Sequence, residues 1–143
     1  MKTPTEKSLE AIDKLRADSL LLDASLLELK IFVRKYVVSC ELIIKPRPAI
    51  KMSQFILRIE GVNHFDFYYD EANQFYLIDR YKIIPTKDGG VYLSLDPYDE
   101  SEVESKKDCG VIVGKEVLFV TGEGVTPESR KATRLPVKGA NPL

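Results

Sequence analysis

Residues 74–95, QFYLIDRYKIIPTKDGGVYLSL, contain two alternating runs on either side of a turn. Apolar and aromatic side chains share one parity in each run: Phe75, Leu77, Tyr81 and Ile83 in the first, Val91, Leu93 and Leu95 in the second. A period of two is typical of a strand with one buried face. Between the runs, the pair Asp88-Gly89 favours a hairpin, since glycine adopts positive φ at low cost. The stretch therefore predicts strand, turn and strand in an antiparallel sheet.

The strand pattern extends upstream of this hairpin to about residue 54. Phe55, Leu57 and Ile59 alternate with polar side chains, as expected for a strand with one apolar face. Residues 62–69 have the aromatic-rich composition that is common in strands. We therefore expect two further strands here, followed by a polar turn before the first run of the hairpin.

Earlier in the chain, a second alternating run places five side chains on one face: Tyr36, Val38, Cys40, Leu42 and Ile44. Pro46 and Pro48 should end that strand, because proline cannot donate a hydrogen bond to a neighbouring strand. Before it, the leucines of residues 20–22 could continue a helix, whereas residues 27–33 alternate. We favour a strand that begins near Leu26.

Downstream of the hairpin, residues 96–108 are acidic and almost free of aliphatic side chains. This composition predicts an exposed loop or a short surface helix. Residues 109–120 are apolar again, but Gly114 and the charged pair after it interrupt the run. The interruption predicts a bend or a hairpin within the run, because glycine weakens a strand interior.

The N-terminal residues carry the signals of a helix start. Thr3 stands where an N-cap belongs, with Pro4 at the first helical position and Glu6 at the third. One narrow apolar stripe follows with a spacing of three: Leu9, Ile12 and Leu15. A helix with such a stripe buries one side and leaves the remainder in solvent. We expect it to lie across the sheet.

These elements predict an α+β protein, in which an N-terminal helix packs on one mainly antiparallel sheet of about six to eight strands. The sequence does not decide whether that sheet curls toward a barrel. We expect one globular domain over residues 1–121. Residues 122–143 are punctuated by glycine and proline and contain few apolar side chains, which predicts an irregular C-terminal tail.

Composition restricts the classes of function. The 143 residues include 21 basic and 22 acidic side chains, for a net charge of −1 at pH 7. The chain thus lacks the positive field of a duplex-binding protein, so nucleic acid is disfavoured as a partner. We find no apolar leader and no run of about 18 apolar residues, which predicts a soluble, cytoplasmic protein without a membrane span. For Cys40 and Cys109 we expect buried free thiols, although the sequence leaves a disulfide open.

The candidate catalytic residues are one pair, His64 and Asp66. The chain has a single histidine, and Asp66 would share its face of a strand, so the carboxylate could orient an imidazole base. No serine or cysteine nucleophile stands in a recognisable motif, and an ordinary histidine on a sheet face is the better interpretation. The protein is therefore expected not to be an enzyme.

Neither a metal nor a cofactor is predicted. The acidic residues 96–104 offer oxygen ligands, but proline and tyrosine interrupt them and the central glycine of a calcium loop is missing. The glycines at positions 89–90 and 122–124 match neither a phosphate loop nor a dinucleotide motif. A solvated acidic loop is the favoured interpretation, and clustered carboxylates could steer a basic partner toward it.

Aromatic residues are dense in the middle of the chain, where nine of the 13 Phe and Tyr residues fall within 34 positions. Strand alternation should bury some of them and direct others outward, where tyrosine is favoured in protein interfaces. Two sets of interface candidates follow: Tyr68, Tyr69, Tyr76 and Arg80 in the aromatic region, and Tyr98, Glu100, Glu102 and Glu104 in the acidic region.

The leading hypothesis is a non-catalytic protein–protein interaction module, such as an adaptor or an immunity-type inhibitor of the kind bacteria make. A ligand-binding protein or enzyme with a pocket near His64 and Asp66 is the alternative. A single-strand nucleic-acid binder is the third and least favoured, because acidic residues interrupt any basic track beside the aromatics. The partner, the oligomeric state and the strand order are not readable from the sequence.

Overall fold

A computed structural model describes residues 3–72 and 74–120 of the chain. Helix α1 spans Glu6–Ala17. The strands are β1 (Ala24–Arg34), β2 (Val37–Lys45), β3 (Phe55–Glu60), β4 (His64–Asp66), β5 (Leu77–Ile78), β6 (Lys82–Pro85), β7 (Val91–Asp96), β8 (Cys109–Gly114) and β9 (Glu116–Val120). The predicted tail, residues 122–143, lies outside the described residues, and a single domain over residues 1–121 stays a prediction.

The strands form two sheets. Sheet A has the order β5-β1-β2-β3-β9, and sheet B has the order β4-β8-β7-β6. Neighbouring strands run antiparallel, and one sheet curls into a half-barrel. The predicted α+β class, with an N-terminal helix on mainly antiparallel sheet, is confirmed. The expected single sheet of six to eight strands is wrong, because the described residues divide nine strands between two sheets.

One hydrophobic core joins α1 to both sheets. Its fully buried side chains include Ile12 and Leu15 from α1, Leu42, Leu57 and Ile59 from sheet A, and Leu93 and Ile112 from sheet B. The apolar parity predicted for β3 is its buried face. In β7 the predicted parity is buried too, but the opposite face, with Tyr92 and Ser94, is also buried, so the expectation of a single buried face is wrong there. Burial of this apolar surface is the main favourable contribution to the stability of the fold.

Helix α1 begins two residues later than expected. Thr5 is the N-cap, because its Oγ1 accepts a hydrogen bond of 3.1 Å from the Ser8 N–H. The prediction that Thr3 caps the helix is therefore wrong. Leu9 is 39% exposed, whereas Ser8 and Ala11 are buried. The buried stripe is thus rotated from the one predicted.

Strand β1 begins near the predicted position, at Ala24, and a two-residue turn connects it to β2. Arg34 pairs with Val37, which leaves Lys35 and Tyr36 between them. Both have positive φ, 50° and 66° respectively, as a type I′ turn requires. Asparagine and glycine normally occupy these positions, because other side chains are strained at positive φ. Tyr36 is fully exposed, so no burial offsets the strain.

Replacing Tyr36 with glycine should therefore stabilise the protein. We expect Tyr36→Gly to raise the free energy of unfolding by about 1 kcal/mol, since glycine removes left-handed strain that costs roughly that amount. Urea unfolding followed by circular dichroism measures the change. Val37→Gly is the matched control and should destabilise, because Val37 lies in β2 and glycine weakens strands. A loss of stability in Tyr36→Gly would contradict the strain.

Two predicted strands are shorter than expected. Residues 62–69 contain only the three-residue strand β4, and the run from residue 74 to 84 divides into β5 and β6. The aromatic rings between these strands pack on one another, as where Phe67 meets Phe75 edge to face at 5.4 Å between ring centroids. Ring packing therefore organises this segment where a continuous strand was predicted.

Strands β8 and β9 follow each other in sequence but belong to different sheets. Gly114 ends β8 where the chain passes close to β3: a Cβ on it would lie 2.5 Å from Ile59 Cγ2 and 3.0 Å from the Glu60 oxygen. The Lys115 N–H then donates to that same Glu60 oxygen over 2.9 Å. The predicted break is thus a bend. The hairpin alternative is wrong, because β9 pairs with β3.

Helix α1 packs beside β9, which is the last strand of sheet A. Ser8 Oγ accepts a hydrogen bond of 3.0 Å from the Val117 N–H, a donor that β3 does not use. The helix therefore partly covers the edge of β9, where unpaired backbone groups would otherwise be open to another strand. Within the described residues, no helix is long and apolar enough to cross a membrane.

Both cysteines are free thiols, but only one is buried. Cys40 lies in the core, and burial, reinforced by the nearby Glu41 carboxylate, raises the pKa of its thiol to about 12. The expected burial of Cys109 is wrong, because this residue is the first of β8 and its side chain is exposed.

Candidate functional site

Five large side chains near the end of β4 and the start of β5 are exposed. We call Phe65, Tyr68, Tyr69, Tyr76 and Leu77 the aromatic surface. Tyr69 is 58% exposed, and Tyr68 and Leu77 are at least half exposed as well. Contiguous exposed apolar side chains on a protein of this size commonly mark an interaction site.

Ring contacts through Phe67 and Phe75, which are half-buried against the core, connect three members of the aromatic surface: Phe65, Tyr69 and Tyr76. Phe65 stacks on Phe67 at 5.0 Å between centroids. Phe75 in turn meets the rings of Tyr69 at 5.9 Å and Tyr76 at 5.8 Å, both nearly perpendicular. Such edge-to-face pairs are favourable beyond the area they bury, so the exposed rings stand on an ordered base.

The aromatic surface is attached to both sheets. In sheet B, Phe65 of β4 pairs with Ile112 of β8. In sheet A, Leu77 of β5 pairs with Ser25 of β1, and the Leu26 N–H donates to the Tyr76 oxygen over 2.8 Å. The segment therefore joins the edges of two sheets, which fixes its position although its own strands are short.

An acidic side chain organises the turn beside Tyr68. The Tyr68 hydroxyl donates to Asp70 Oδ2 over 2.6 Å, and the Ala72 N–H donates to Asp70 Oδ1 over 2.9 Å. The hydrogen bond to Asp70 raises the pKa of Tyr68, because the carboxylate favours the protonated phenol. The hydroxyl of this predicted interface residue is thus engaged within the chain.

The second set of candidates lies on residues 97–108, which we call the acidic loop. This loop is irregular, as predicted. It covers one face of sheet B and is attached there by Lys82, whose side chain is 2% exposed. Lys82 Nζ donates to Asp108 Oδ2 over 3.0 Å, to Asp99 Oδ1 over 3.3 Å and to the Val103 oxygen over 2.8 Å. A buried cation thus holds both ends and the middle of the loop.

Asp108 is the buried anion opposite Lys82. Its carboxylate also accepts from the Tyr92 hydroxyl over 2.7 Å and from the backbone N–H groups of Tyr98 and Ser105 over 2.9 and 3.1 Å. Burial alone would raise the pKa of Asp108, but these hydrogen bonds and the Lys82 charge outweigh it and hold the pKa below its ordinary value. Burial and the bond to Asp108 raise the pKa of Tyr92.

The structure places the acidic-loop candidates in varied surroundings. The Tyr98 ring lies under the Lys107 ammonium, 4.7 Å from its centroid. Glu102 lies 3.6 Å from Arg16 of α1, and Glu100 and Glu102 line one cavity of about 380 Å³ together with Arg80. Arg80, predicted beside the tyrosines, donates instead to the Pro97 oxygen over 3.1 Å and so supports the start of the acidic loop.

His64 and Asp66 lie on one face of β4, as predicted, and both are exposed. They line a cavity of about 510 Å³ together with Glu104 of the acidic loop. Asp108 and Tyr92 form its buried wall, but these two groups bond to each other. Within the described residues, no three histidine, cysteine or acidic side chains converge as metal ligands would.

Sequence reasoning missed two ion pairs that contain a buried charge. One is Lys82 with Asp108. The other is Glu41, 2% exposed, whose Oε2 accepts from Arg58 Nε and Nη2 over 3.1 and 2.7 Å, with Lys30 Nζ 3.7 Å from its Oε1. Glu41 could have been noticed, because apolar residues flank it on both sides and a buried carboxylate needs a partner. Lys82 gave no signal, since it occupies an ordinary polar position of an alternating strand.

Comparisons with protein-family models, with curated proteins and with solved structures return no match for this chain. The site is therefore interpreted from its own chemistry.

Proposed function

We propose that the protein is a non-catalytic interaction module that binds another protein through its aromatic surface. The observation that carries this proposal is the ordered, exposed set of rings on the base formed by Phe67 and Phe75. Tyrosine offers a large contact area with few rotatable bonds, and aromatic side chains dominate the energetics of protein interfaces. Ordering these rings before binding lowers the entropy that association costs.

The charges around the aromatic surface indicate what the partner presents. Residues 64–79 contain four acidic side chains, Asp66, Asp70, Glu71 and Asp79, and neither lysine nor arginine. This charge repels nucleic-acid phosphates, whereas it attracts a basic protein surface. Arginine is the side chain that best combines positive charge with stacking on tyrosine rings. The proposed partner therefore presents arginine or lysine next to apolar side chains.

The cavity at His64 and Asp66 supports ligand binding less well. The buried polar groups in its wall satisfy each other, and His64 and Asp66 themselves are exposed to solvent. A site that recognises a small ligand usually aims a few buried polar groups into an enclosed, mostly apolar pocket. We therefore assign the function to the aromatic surface.

Site-specific photo-crosslinking in the native cells tests this assignment. A photoreactive phenylalanine analogue is placed at Tyr69, at Leu77 or, as the control, at the exposed Lys87 in the β6–β7 turn. We expect one protein to be crosslinked from positions 69 and 77 and not from position 87, since the partner should cover only the aromatic surface.

A second substitution tests whether the crosslink depends on the aromatic rings. Adding Tyr76→Ala to the protein labelled at position 77 should reduce the crosslinked product several-fold, because hot-spot aromatics cluster and act together. Product of equal yield from position 87, or no product from either position on the aromatic surface, would contradict the proposal.

A further inference from the structure

One edge of β1 borders no other described strand over most of its length. β5 pairs only with Ala24 and Ser25 of β1, and the Leu26 N–H is taken by the Tyr76 oxygen. β2 pairs with the opposite edge of β1 as far as Arg34. We call Leu29–Arg34 the β1 edge. An exposed strand of this length is a template on which another strand can form hydrogen bonds.

The hairpin turn fixes which backbone groups point outward from the β1 edge. Arg34 closes a two-residue turn with Val37, so the two residues exchange both of their hydrogen bonds. Alternate residues of β1 then bond to β2, and those between them point the other way. The outward residues are Leu29, Ile31 and Val33. Val38, opposite Val33, agrees with this alternation, because its oxygen accepts from the Val62 N–H on the far side of β2.

The side chains on the β1 edge are also suited to contact with a partner strand. Leu29, Ile31 and Val33 share one face of the strand; Leu29 is half-buried, Ile31 is 48% exposed and Val33 is 62% exposed. Three apolar side chains thus accompany three outward-pointing pairs of N–H and C=O groups. No proline stands in this edge to block pairing.

We propose that the β1 edge pairs with the same edge of a second copy of the chain. The strands run antiparallel about a twofold axis at Ile31, which faces Ile31 of the second copy. Leu29 then faces Val33 of the second copy, and Val33 faces Leu29. This arrangement forms six backbone hydrogen bonds, two for each outward residue, and joins the two copies of sheet A into one continuous sheet.

The charges along β1 favour this register. They also favour a second copy of the chain as the partner strand. Within one chain, Glu28 lies 3.8 Å from Lys30, and the Arg34 guanidinium lies over the Phe32 ring, 5.2 Å from its centroid. With Ile31 on the axis, Glu28 faces Arg34 of the second copy, twice by symmetry, so the pairing adds an attraction between opposite charges to these contacts. Shifting one strand by two residues in one direction places Lys30 opposite Lys30 of the second copy. Shifting it in the other direction places Lys30 opposite Arg34. Like charges directly opposite are unfavourable, so this register is favoured over both of its neighbours.

Sedimentation velocity of the full chain tests the proposal. Because the pairing buries a small interface, we expect a weak dimer, with the mass rising from monomer to dimer between about 1 and 100 µM protein. Ile31→Pro should raise the dissociation constant at least tenfold, since it removes the two hydrogen bonds on the axis. Its fold should persist, because the Ile31 N–H is not used within the monomer and proline is tolerated at edges.

A charge swap provides the decisive control. Arg34→Glu places like charges opposite each other and should also weaken the dimer at least tenfold, whereas the double variant Glu28→Lys/Arg34→Glu should restore it. Lys87→Glu makes the same change of charge in the β6–β7 turn and should leave the dimer unchanged. A wild-type chain that stays monomeric, a dimer that survives Ile31→Pro, or failure of the swap to restore dimerisation would overturn the proposal.

Discussion

Asp108→Asn should cost about 3–5 kcal/mol of unfolding free energy, because breaking a buried ion pair leaves its partner without a counter-charge. Lys82 would remain buried with only Asp99, at the solvent boundary, to oppose its charge. The asparagine NH₂ group would also meet groups that donate to Asp108 now, namely the Tyr92 hydroxyl and the backbone N–H groups. Urea unfolding at pH 7 measures the loss.

The pH dependence of that loss identifies its origin. The folded pKa of Asp108 is lowered, so its contribution is present above the unfolded value of about 4 and disappears as the pH falls through the folded value. The difference in unfolding free energy between wild type and Asp108→Asn should therefore narrow as the pH is lowered below that unfolded value. Asp99→Asn is the matched control, and its loss at pH 7 should be much smaller because that carboxylate is half exposed. Equal losses from both variants would argue against the buried pair.

Phe55→Ala should destabilise the protein by about 3–5 kcal/mol, the usual cost of removing a buried ring and leaving a cavity. Phe55 is fully buried in β3, where it lies opposite Ile44 and stacks on Phe119 at 5.1 Å between centroids. Thermal unfolding measured by calorimetry should show a lower midpoint, by many degrees for a domain of this size. Phe55→Leu keeps much of the volume and should cost far less.

Tyr69→Ala is the comparison that separates a core ring from a surface ring. It should change the free energy of unfolding by less than about 1 kcal/mol, because the side chain is 58% exposed. A large loss of stability in Tyr69→Ala would show that the aromatic surface is part of the core, and the proposed interface would lose its basis.

Much of sheet A was predictable because its signals are local. The parity of Phe55, Leu57 and Ile59 identifies the buried face of β3, and Pro46 follows directly after the last residue of β2. The β6–β7 hairpin was predictable for the same reason, since Asp88-Gly89 lies between two alternating runs and Pro85 pairs with Val91. In these places neighbouring residues alone decide the conformation.

The candidate site depends on contacts that sequence parity cannot show. Residues 62–69 have strand composition, yet most of them lie outside strands, because the rings of Phe67 and Phe75 pack on each other across eight positions. Asp108 looks like one more charge of an acidic loop, and its burial depends on a lysine 26 residues earlier. Which aromatic rings face solvent is decided by such distant partners.

The hydrogen bond from the Val117 N–H to Ser8 Oγ joins residues 109 positions apart, and it constrains the order of folding during synthesis. The segment that forms α1 leaves the ribosome before every described strand, but the strand on which it packs is the last of the described strands to emerge. Until then, Ile12 and Leu15 lack much of their cover, and sheet A lacks its final strand. Chain closure over so long a separation slows folding. The nascent protein therefore exposes an apolar helix face until β9 emerges, a period in which chaperone binding to that face would be of most use.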